Sequence, residues 1–175
     1  MNKGNSEKKL VVMFSILALV SFLLSSSVLP FTISREGFMR LPDLLLILCC
    51  IMPLFAGRVL CCIFALVCGF LQDLVISVPY NFSPVVYLVA VCVIPFFLGH
   101  FKTPGTLSGA VCALPCLALK TLVGVLVLTA RYSDAGLGSV LMSVALPELV
   151  VNFACTIVML FIIRRLVRWF GLGRI

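Results

Sequence analysis

The chain is predicted to be all-α, a polytopic membrane protein built as one bundle of about six transmembrane helices, with its N- and C-termini cytoplasmic. Three observations carry that expectation. Of 175 residues, 63% are hydrophobic and only 11% are charged, and the mean hydropathy is +1.28. A soluble domain of this size has no means of hiding so much apolar surface. Apolar runs also recur along the whole length, separated by short polar connections. Finally, the length accommodates about six spans of roughly 20 residues and leaves little for anything outside the bilayer.

The first run, about 10–33, follows a short basic segment with Lys3, Lys8 and Lys9. It resembles a secretory signal at its start, with Ser25, Ser26 and Ser27 offering small residues, but it continues through Val28, Leu29 and Phe31. That length suits a retained span rather than a signal core. The second, about 42–56, opens with Pro42 and Asp43, a proline in the first turn and an acid at the positive end of the helix dipole. Pro53 is placed to kink its end. Arg58 then opens a third span, about 59–78, followed by 83–99, 105–130 and 138–161. No internal repeat, linker or low-complexity stretch divides the chain, so a single domain covers 1–175.

Lysine and arginine placement orients the bundle. With both ends inside, the inner side holds Lys3, Lys8, Lys9, Arg58, Lys102, Arg164, Arg165, Arg168 and Arg174, and the outer side Arg35, Arg40 and Arg131. The formal net charge of +7 is thereby accounted for by topology, with no basic patch left over for nucleic acid. Arg164, Arg165 and Arg168, interleaved with Leu166, Val167, Trp169 and Phe170, are expected at the lipid interface, against anionic headgroups. Nine cysteines all lie in apolar segments and are expected to pack as free thiols. Cys112 and Cys116 have metal-like spacing but no His or carboxylate partner. No cofactor or metal site is expected.

Ionisable residues within such segments are costly and are candidate functional sites. Asp73 follows Ala65 and Gly69 at four-residue steps, so a small-residue face and a carboxylate share one side of the third helix. Gly105 and Gly109 offer a matching face on the fifth helix, which also carries Lys120. Counting from the inner ends puts Asp73 and Lys120 level, both roughly 22 Å in, and an ion pair or a shared hydrogen-bond network between them is expected. The competing placements are an Asp73 that reaches outer water and a Lys120 that snorkels. Glu148, Asn152 and Thr156 form a polar stripe on the sixth helix. The sequence leaves three roles open for Glu148: partner of Lys120, proton-coupled group, or neutral acid bonded to a neighbouring helix. Asp73, Lys120, Glu148 and Asn152 are thus the expected intramembrane polar network. The lone His100 sits beside Lys102 at a helix end, and no P-loop, nucleophile elbow or metalloprotease motif is present. An enzyme is not expected.

Four stretches, Leu41-Pro-Asp-Leu-Leu-Leu46, Gly69-Phe-Leu-Gln-Asp73, Val85-Val-Tyr-Leu-Val89 and Leu146-Pro-Glu-Leu-Val-Val-Asn152, make the chain resemble the bacterial rod shape-determining MreD family. It departs from that pattern in having no glycine in the turn Pro79-Tyr-Asn-Phe-Ser-Pro84. The resemblance implies a non-enzymatic subunit of the cell-elongation complex in the bacterial inner membrane. Such a subunit binds the scaffold MreC and, through it, helps organise the wall polymerase, its transpeptidase and MreB filaments. Two other classes compete. The substrate-capture subunit of an energy-coupling-factor vitamin transporter is also a small six-helix protein, but it would want an Ala-x-x-x-Ala face on the first helix, where Ala18 is followed by Phe22. A proton-coupled carrier would want more symmetry between the two halves.

Overall fold

The computed structural model describes residues 3–32, 42–75, 83–99, 105–131, 138 and 141–171. Within them the chain is helical, with no strand. The α-helices are α1 (Lys3–Thr32), α2 (Leu44–Ile51), α3 (Arg58–Val75), α4 (Ser83–Leu98), α5 (Thr106–Arg131) and α6 (Leu146–Trp169). A 3₁₀ turn, Met52–Leu54, extends α2, and a π-helical turn, Leu141–Ala145, leads into α6.

Three helical stretches, Glu7–Ser26, Thr106–Leu126 and Leu146–Trp169, are long and apolar enough to cross a bilayer, and the molecule is a membrane protein on that evidence. The apolar α2 is different. Its eight residues span only about 12 Å, less than half a hydrocarbon core. Pro53 accounts for the stop: it stands in the 3₁₀ turn that follows, where its ring and missing N–H prevent α-helix continuation. Pro42 likewise precedes the helix, because Asp43 is the N-cap and Leu44 the first helical residue. The expected first-turn proline is therefore outside the helix, ahead of the cap.

The short helix is the centre of the bundle. It touches α1, α3, α4, α5 and α6, and every residue from Leu45 to Met52 is at most 2% exposed. A helix apolar all round suits only such a position. Phe14 of α1, fully buried, seats against Phe55 at 6.3 Å and edge-on against Phe64 at 6.0 Å, which fastens α1 over the α2–α3 connection. The outer faces stay apolar: Ile16, Phe70, Leu122 and Phe161 are exposed, as lipid-facing side chains are.

Close helix approach is secured by small residues, as expected for α3. Cys61, Ala65 and Cys68 are buried along one face with Gly69. A Cβ on Gly69 would stand 2.7 Å from the Pro84 backbone nitrogen, so α3 and α4 meet there backbone to backbone. Gly109 does similar work on α5, where a Cβ would come within 3.1 Å of Leu54 Cδ1 and 3.5 Å of Leu160. Gly105 does not. Nothing but Ser108 Oγ, at 3.8 Å, lies near its Cβ position; it precedes α5, and its carbonyl caps the helix by accepting from Gly109 N at 3.1 Å and Ser108 Oγ at 2.9 Å.

Candidate functional site

The site is built from the N-terminus of α2 outward. A helix leaves its first N–H groups without partners, and an Asp at the N-cap answers one of them. Asp43 Oδ1 accepts from Leu46 N at 3.0 Å, while the Asp43 carbonyl accepts from Ile47 N at 3.0 Å. Because α2 begins inside the bundle, this cap is buried, with Asp43 only 5% exposed. A carboxylate there must be compensated by its neighbours.

Three helices supply that compensation. The Tyr87 hydroxyl of α4 donates to Asp43 Oδ1 at 2.6 Å. Lys120 Nζ of α5 lies 3.4 Å from Asp43 Oδ2. The Asp43 backbone N–H donates to Asn152 Oδ1 of α6 at 2.8 Å. Lys120 Nζ also donates to Glu148 Oε1 at 2.7 Å, so the ammonium bridges two carboxylates. One residue thus ties α2 to α4, α5 and α6. The positive end of the α2 dipole adds to the balance of two acids against one base.

The α6 stripe falls on the core side: Glu148, Asn152 and Thr156 are buried, and below them Leu160, Ile163 and Val167. Thr156 Oγ1 returns to the Asn152 carbonyl at 2.8 Å, which leaves the Asn152 side chain to Asp43. The polar residues occupy the first turns of α6, which begins at Leu146 directly after the π-helical turn and runs on to Trp169, past the expected end at 161. Arg164, Arg165 and Arg168 are therefore part of the helix, with Arg165 and Arg168 exposed and Arg164 half-buried.

Lys120, Glu148 and Asn152 are brought together as expected. Asp73 is not among them. The ion pairs of Lys120 run to Asp43 and Glu148, and this corrects the expected Asp73–Lys120 pair. Asp73 stands near the end of α3, half-buried, with Oδ2 out of reach of any hydrogen-bond partner among the described residues. Matching depths did not select the partner, since rotation about each helix axis decides which side chains meet. The residues missed were Asp43 and Tyr87. An acid followed by a purely apolar run was the available signal, and on sequence grounds it indicates a helix-dipole contact only. The turn 79–82, His100, Lys102, Arg35, Arg40 and Arg174 lie outside the described residues.

Chemically the arrangement is a closed set of charge-assisted hydrogen bonds. Its carboxylates are engaged by protein donors, and among the described residues no group of three His, Cys, Asp or Glu side chains is disposed to hold a metal ion. Removing one member of such a set leaves the others buried without partners. Compared with protein-family models, with curated proteins and with solved structures, the chain matches none.

Proposed function

We propose that this protein is a non-enzymatic membrane subunit of a bacterial cell-elongation complex, similar in role to MreD proteins, and that it works as a helical docking unit for a membrane-anchored scaffold of the MreC kind. One observation carries the reading. The stretches 41–46, 85–89 and 146–152, which suggested the resemblance separately, contribute Asp43, Tyr87, Glu148 and Asn152 to a single hydrogen-bonded cluster. The fourth stretch, 69–73, abuts the start of α4 through Gly69 and Pro84. A shared role for these separated segments in one rigid core accounts for their presence together better than four unrelated accidents of apolar sequence.

In this reading the chain crosses the inner membrane six times with both ends cytoplasmic, following the arginine and lysine distribution, and the short α2 makes its crossing together with Pro42, Asp43 and residues 52–57, whose non-α-helical backbone is tolerated at membrane depth because protein surrounds it. The cluster holds the bundle in one arrangement, and the lipid-facing helices offer the surface on which the scaffold's transmembrane helix packs. Wall polymerase, transpeptidase and MreB filaments are reached through that scaffold. Affinity purification of the full chain from its native membranes in mild detergent, followed by mass spectrometry, tests this. Recovery of the scaffold with wall-synthesis proteins is the expected result. A co-purifying ATP-binding pair with a bound vitamin would overturn it in favour of a vitamin transporter.

A further inference from the structure

We draw no further inference here: the strongest candidate, the C-terminal end of α3 where Asp73 is half-buried and its Oδ2 meets no hydrogen-bond partner among the described residues, carries none, because nothing in the structure shows what covers it.

Discussion

Replacing Asp43 by alanine should destabilise the bundle more than any other single carboxylate change. Loss of the N-cap costs about 1 kcal/mol. The Tyr87 hydroxyl, 1% exposed at the residue level and 2.6 Å from Asp43 Oδ1, would be left without its acceptor, at about 1–3 kcal/mol. Breaking a buried pair outright costs about 3–5 kcal/mol, but Lys120 keeps Glu148 at 2.7 Å and loses only the longer 3.4 Å contact. That contribution falls to about 1 kcal/mol. Simple addition gives an upper limit of about 3–5 kcal/mol; because the three share atoms, Asp43→Ala is expected to cost about 2–4 kcal/mol in all. Asp43→Asn keeps Oδ1 as acceptor for Leu46 N and Tyr87 but sets an amide NH2 in place of Oδ2, facing the Lys120 ammonium, for about 1–2 kcal/mol. Among the described residues Asp73 Oδ2 has no partner to strand, and Asp73→Ala should stay within about 1 kcal/mol of wild type. SDS-titrated unfolding in mixed micelles, followed by circular dichroism, ranks the three. A wild-type midpoint for Asp43→Ala, or a loss for Asp73→Ala of the same size, would refute the reasoning.

Three further outcomes follow from the same geometry. Gly69→Ala puts a methyl against the Pro84 backbone and should cost about 1–3 kcal/mol, whereas at Gly124, where a Cβ meets nothing within 4 Å, alanine should be neutral or stabilising by up to about 1 kcal/mol; the same titration compares them, and equal effects would contradict the packing described. The charge swap Lys120→Glu with Glu148→Lys should recover part but not all of the stability lost in either single variant, because the carboxylate introduced at position 120 would then face Asp43; complete recovery would mean that Asp43 contributes nothing to the pairing. Arg165→Gln with Arg168→Gln should reduce the phosphatidylglycerol retained by the detergent-extracted protein, read by native mass spectrometry, and unchanged retention would remove α6 from the lipid contact.

Much of this architecture was legible because it rests on local rules. The ends of α4 and α5 fall within a residue or so of the expected limits, since apolar runs bounded by polar or glycine-containing connections define them. The roles of Ala65, Gly69 and Gly109 followed from four-residue spacing of small side chains. The centre of the site was harder to see. Asp43 looked like an acid at a membrane-surface helix start, and its burial depends on α2 being short and wrapped by five other helices, a long-range property that no local pattern encodes. Tyr87 was one aromatic among many in an apolar run until α4 packed it beside α2. Asp73 was overvalued for the opposite reason: depth along a helix can be counted from sequence, but azimuth cannot. Gly105 matched the four-residue spacing and yet served to cap α5, because the helix begins one residue after it.

The claim on which the rest depends is that Asp43, rather than Asp73, shares Lys120 with Glu148, and a pair of double-mutant cycles measures it. Lys120→Met is combined in turn with Asp43→Asn and with Asp73→Asn, and the unfolding free energies are compared. The account predicts a coupling of about 1–3 kcal/mol for Asp43 and less than about 0.5 kcal/mol for Asp73. Coupling to Asp73 with none to Asp43 would contradict it.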